Sequence, residues 1–133
     1  MKKLSFILLA ILLFAACTND EATIQEQDAA KLEKMHQEII TLSLATTQSC
    51  TDAKDWDFTP LGTKACGGVA LYIPYSKKIN KEAFLAKVKA YTDAQTAYDI
   101  KWNIVSSCEL VIPPTGVECV DGKPKLSYMS ALY

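Results

Sequence analysis

The sequence predicts an α+β fold: two long helices packed on a small, mainly antiparallel sheet and stapled by disulfides. Three observations point there. Residues 21–46 and 80–102 carry apolar side chains at helical spacing, with no Gly or Pro inside either stretch. Asp121-Gly122, a strong two-residue hairpin signal, lies between two strand-like runs. Four cysteines, Cys50, Cys66, Cys108 and Cys119, remain once a leader ending before Cys17 is set aside.

That leader has three parts. Lys2 and Lys3 form a positive start, residues 4–14 are apolar apart from Ser5, and Ala15-Ala16 place two small side chains before Cys17. A small pair followed by Cys is the pattern of lipoprotein processing, in which the thiol takes a diacylglycerol and becomes the first residue of the mature chain. The apolar run is far shorter than the roughly 20 residues of a spanning helix. The expected organisation is a signal peptide over 1–16, the acylated Cys and a polar tether over 17–22, and one domain over 23–133. This places the protein in a bacterial cell envelope, as an outer-membrane lipoprotein held by lipid. Asp20-Glu21 behind the acylated Cys resembles the surface-export signal of some Gram-negative lipoproteins; a solvated linker explains the pair equally well.

The first helix stripe is Ile24, Leu32, Met35, Ile39 and Leu42, with Glu26, Lys31, Glu33, Lys34 and Glu38 elsewhere. Residues 50–68 read as irregular: Asp52, Asp55 and Asp57 alternate with Trp56 and Phe58, then Pro60, Gly62 and Gly67-Gly68 interrupt the chain. Residues 69–75 are apolar, β-branched or aromatic, and read as a strand. In the second helix Asn80 is the N-cap candidate and Glu82 complements the first turn. Its stripe is Phe84, Val88, Tyr91, Tyr98 and Trp102, a core face toward the sheet. Residues 104–106 and 110–112 are short apolar runs read as strands. Pro113-Pro114-Thr115-Gly116 reads as a turn, and residues 117–120 and 124–128 as the strands flanking Asp121-Gly122.

Without Lys2 and Lys3 the chain keeps 12 basic residues against 15 acidic, a net charge near −3. That is no nucleic-acid footprint. Every basic residue is Lys; without Arg, bidentate capture of phosphate or carboxylate is disfavoured. Four cysteines in an oxidising compartment read as two disulfides with three possible pairings. We favour Cys50–Cys66 and Cys108–Cys119, because each brackets one turn-rich segment. The spacings are too wide for the close pairs of structural zinc, so no metal is expected.

Trp56, Lys64-Ala65-Cys66-Gly67-Gly68, Tyr72-Ile73-Pro74-Tyr75-Ser76, the aromatic end of the second helix, Cys108, and Pro114, Gly116 and Cys119 form a recognisable set. In these motifs the chain resembles an uncharacterised set of small secreted bacterial lipoproteins with a Lys-x-Cys-Gly-Gly motif and paired cysteines. The resemblance covers about residues 50–125. It implies secretion and a cysteine framework, and supplies no activity and no catalytic residue. Some members carry a further Cys near the end, where this chain has Lys123-Pro124-Lys125.

Catalytic patterns are absent. The one histidine, His36, lies at the edge of the first helix stripe, and paired cysteines leave no thiolate nucleophile. Asp52, Asp55 and Asp57 do not follow the order of a Ca2+ loop and read as solvated turn acids. Lys64 beside Gly67-Gly68 is a candidate for anion capture; the plain alternative is a surface Lys on a turn. No catalytic residue and no cofactor are assigned. The expected function is a membrane-anchored binding or inhibitory module for a protein or glycan partner, with no nucleic acid. The alternatives are a structural envelope lipoprotein and, further off, a small hydrolase. The candidate binding surface is Trp56, Phe58, Lys64, Gly67, Gly68, Pro113 and Pro114; Trp56 equally suits a core position. Oligomeric state is not legible.

Overall fold

The computed structural model describes residues 19–129. Cys17 and the leader lie outside them. Among the described residues the fold is α+β, with two helices and two small antiparallel sheets: α1 (Asn19–Leu42), a short 3-10 turn (Ala53–Asp55), β1 (Trp56–Thr63), β2 (Val69–Ser76), α2 (Lys81–Lys101), β3 (Gly116–Val120) and β4 (Lys123–Ser127). The sheets are two separate hairpins, β1–β2 and β3–β4, where the sequence suggested one sheet. No helix among the described residues is long and apolar enough to cross a membrane.

Helix α1 starts at Asn19, inside the stretch read as a tether, and stops at Leu42, short of the expected residue 46. Leu44 adopts φ +60 just beyond it, a left-handed conformation that ends a helix. Its stripe is buried only around its middle, with Leu32 and Met35 half-buried. Ile39 is fully buried, whereas Ile24 and Leu42 are exposed. Helix α2 begins where its cap predicts: Asn80 Oδ1 accepts a hydrogen bond from the Ala83 amide at 3.0 Å. It closes in a Schellman motif, with Asn103 at φ +49 and the Ile104 amide donating to the Asp99 carbonyl at 2.9 Å. The helices run antiparallel. Glu38 pairs with Lys87 near one end, and Asp28 with Lys101 near the other. Asp28 also accepts from Trp102 Nε1.

The core joins these helices to the first hairpin. Ile39 of α1, Leu61 of β1, Ile73 and Tyr75 of β2, and Phe84 and Val88 of α2 form one buried cluster.

Strand β1 corrects the reading of residues 50–68 as irregular. Its Pro60 and Gly62 look like strand breakers. A two-stranded sheet, however, leaves each strand one open edge, where a missing proline N–H costs little. Helix α2 covers that edge at its end. Thr92 Oγ1 accepts from the Gly62 amide at 3.1 Å, and Gln95 Oε1 accepts from the Thr63 amide at 3.1 Å. Gly62 has no side chain to stand where the Gln95 amide group lies. It also holds φ +72, and an added Cβ would collide with Gln95 Oε1.

The β3–β4 hairpin turns at Asp121-Gly122, with φ +52 and +73, as a primed turn requires. The runs 104–106 and 110–112, expected as strands, are not paired; residues 103–115 form an extended strap from α2 to β3. They lack a partner strand, and without cross-strand bonds an apolar run does not become a sheet.

Gly62→Ala should lower the melting temperature by several degrees, since a left-handed non-glycine residue costs about 1–2 kcal/mol before the clash with Gln95 is counted. Calorimetry checks this; an unchanged melting temperature would show that the edge contact from α2 is not close-packed.

Candidate functional site

The cysteine framework differs from the local pairing. Cys50 is bonded to Cys119, with Cα atoms 5.3 Å apart, across a separation of 69 residues. The bond thus spans the fold rather than bracketing one loop. Cys66 and Cys108 are exposed free thiols. They are neighbours: the interaction with Cys108, helped by the Ser106 hydroxyl and the Lys64 charge, holds the Cys66 thiol below its usual range despite slight burial. The same interaction pushes Cys108 up.

The predicted surface residues separate into three groups. Trp56 is buried, 3% exposed, and is therefore core rather than an anchor. Its Nε1 finds no hydrogen-bond partner among the described residues. Phe58 is half-buried, edge-on to Tyr72 with ring centroids 6.1 Å apart. Lys64, Gly67 and Gly68 belong to the β1–β2 turn, where Lys64 Nζ donates to the Glu109 carbonyl. The Lys64 amide donates to Gly68 O at 3.0 Å and the Gly67 amide to Lys64 O at 2.8 Å. Lys64 Nζ and the Lys64 and Gly67 amides thus have partners within the fold. Pro113 is exposed and Pro114 buried, so the proline turn presents one ring.

The acids do not converge. Asp52 accepts from the Lys54 amide at the start of the 3-10 turn, and Asp55 pairs with Lys78. Asp57 accepts from Tyr75 Oη at 2.9 Å and from Lys81 Nζ at 3.2 Å. Burial pushes the Asp57 carboxyl up, but the Phe58 amide, Tyr75 and Lys81 together outweigh it and hold it below its ordinary value. Burial raises the Tyr75 phenol. His36 faces Tyr91 across the helix pair, ring centroids 5.7 Å apart. Among the described residues no group of three or more His, Cys, Asp or Glu is placed to hold a metal ion.

What the sequence reading missed is the strap. Among the large apolar side chains, Val105 is 91% exposed, Leu110 89%, Ile112 67%, and Ile100 at the end of α2 75%. An open groove of about 630 Å3 runs beside it, lined by Thr63, Lys64, Thr96, Asp99, Asn103 and Val105 among others. Burial raises the Asp99 carboxyl in this groove. The signal present in the sequence was the two short apolar runs themselves, 104–106 and 110–112.

No family model, curated protein or solved structure matches the chain.

Asp57 has a folded value below its ordinary 3.8. Its contribution is therefore present above that value and lost as pH falls through the lower, folded one. Asp57→Asn should be less stable than the parent at pH 7, with the difference shrinking below about pH 4, where carboxylates begin to protonate. Thermal melts from pH 7 to pH 2 test this; a gap that stays constant would show that the carboxylate charge plays no part.

Proposed function

We propose that the protein is an exported, lipid-anchored binding module whose strap, residues 103–115, meets a protein partner. The observation that carries this reading is the exposure of Val105, Leu110 and Ile112, with Ile100 beside them, on a segment with fixed ends. Small soluble domains seldom leave several large aliphatic side chains in water on one stretch, and such patches mark interaction sites. Aliphatic side chains offer no flat face for stacking on a sugar, so a protein suits them better than a glycan. Binding to a segment already tied at both ends loses less conformational entropy than ordering a free loop.

Anchoring rests on Lys2-Lys3, the apolar run to Phe14 and Ala15-Ala16-Cys17. The Cys50–Cys119 bond is in keeping with export, since structural disulfides persist in oxidising compartments. The bacterial outer membrane, and a partner in the envelope or outside the cell, belong to this same proposal.

The experiment places a photo-crosslinking residue at Leu110 or at exposed Lys34 of α1 in the full-length chain, in intact cells. A discrete protein adduct is expected at position 110 and not at 34. Cys17→Ser should move the chain from the membrane to the soluble fraction. Equal crosslinking at both positions would remove the strap as the contact surface, and unchanged membrane association of Cys17→Ser would remove the lipid anchor.

A further inference from the structure

The strap is held to the rest of the molecule at very few points. It leaves α2 through the Asn103 Schellman motif and rejoins at Thr115, whose amide donates to the Ser127 carbonyl at 2.8 Å. Between these, among the described residues, no backbone–backbone hydrogen bond holds residues 105–114. Two side chains of the β1–β2 turn reach it midway. Lys64 Nζ donates to the Glu109 carbonyl, and Cys66 Sγ lies 3.6 Å from the Ser107 carbonyl oxygen. The Ser106 hydroxyl is 3.8 Å from the same sulfur. The turn thus touches the strap on both sides of Cys108, through Cys66 at Ser106 and Ser107 and through Lys64 at Glu109, and the Cys66 and Cys108 side chains are within reach of each other. Cys50 and Cys119 are already joined, so no other cysteine among the described residues competes for either thiol.

The geometry points to Cys66 and Cys108 as a second, exposed disulfide that clasps the strap to the β1–β2 turn and can be opened by reduction. The site is built for thiol chemistry in other respects. Both sulfurs are exposed, so a disulfide donor can reach them. Cys108, Ser106 and the Lys64 charge favour the thiolate on Cys66, making Cys66 the attacking sulfur. That thiolate attacks one sulfur of a donor disulfide, protein or small-molecule, forming a mixed disulfide and expelling the donor's other sulfur as thiolate. Cys108 then loses its proton to solvent or that thiolate, attacks the Cys66 sulfur and expels the second donor thiolate. Two electrons pass from the two cysteines to the donor, which ends as two thiols. The positions of the two bonds give them different roles. Cys50–Cys119 joins a buried residue to a half-buried one, whereas Cys66–Cys108 would lie on the surface, where reductants have access. Exposed disulfides of this kind are the labile ones. Opening the clasp frees the middle of the strap, and with it Val105, Leu110 and Ile112, from its fixed path.

The test uses the full chain equilibrated with oxidised glutathione, then alkylated and digested without reduction by lysyl and glutamyl endopeptidases. Cuts after Lys64, Lys77, Glu109 and Glu118 separate Cys50, Cys66, Cys108 and Cys119 from one another. The expected product joins the peptide 65–77 to one ending at Glu109. Native-state cleavage after Glu109 should be several-fold slower in the oxidised chain than after mild reduction, and Cys66→Ser/Cys108→Ser should abolish the difference while keeping Cys50–Cys119. Recovery of Cys66 bonded to Cys50 or Cys119, full alkylation of Cys66 and Cys108 after oxidation, or equal cleavage rates in all three forms would overturn the clasp.

Discussion

The Cys50–Cys119 bond carries more of the structure than any single packing contact. The chain has a real core around Ile39, Leu61, Ile73, Tyr75, Phe84 and Val88, and β3 and β4 contribute nothing to it. A two-stranded hairpin with five-residue strands is marginal in water by itself. It lies against β1 and β2 without joining their sheet, and a strap with no strand pairing of its own links it to α2. What fixes it is the covalent link from β3 to Cys50, seconded by the Cys50 amide donating to the Gly122 carbonyl at 2.8 Å. Closing a loop of this length restricts the unfolded chain by about 4 kcal/mol in the chain-entropy model. Residues 43–50 connect the end of α1 to that link. Ser76 anchors them, its amide donating to the Ser43 carbonyl and its hydroxyl to Gln48 Oε1. The second hairpin is thereby tied to the end of α1 and the end of β2 together.

With both hairpins placed, the path of the strap follows. Its start is set by the C-cap of α2 and its end by β3, so it spans the edge of the molecule with its aliphatic side chains outward. A flexible linker with the same residues would lose more entropy on binding and would be an aggregation hazard when free. The thiol pair at Cys66 and Cys108 sits at the midpoint of that span. A bond there would decide whether the apolar side chains are presented on a fixed or a mobile segment.

Much of this was legible in the sequence where the cause is local. Asn80 caps α2 because its side chain reaches an amide three residues on, and Asp121-Gly122 turns the last hairpin because both residues accept positive φ. Features whose cause lies far along the chain were not. Strand β1 was hidden by Pro60 and Gly62, and its edge is satisfied by Thr92 and Gln95, some 30 residues away. The cysteine pairing was read from proximity in sequence, but tertiary structure brings Cys119 to Cys50 and Cys108 to Cys66. Trp56 suits both an anchor and a core position, and only burial decides between them. The strap was misread because an apolar run predicts a strand only when a partner is at hand, and none is.

The dependence of the second hairpin on its disulfide is tested most directly by amide hydrogen exchange on the parent and on Cys50→Ser/Cys119→Ser. Amides of residues 117–126 should lose their protection in the variant, while those of α2 and of β1 near Leu61 keep theirs. Unchanged protection in 117–126 would show that packing alone holds the β3–β4 hairpin in place.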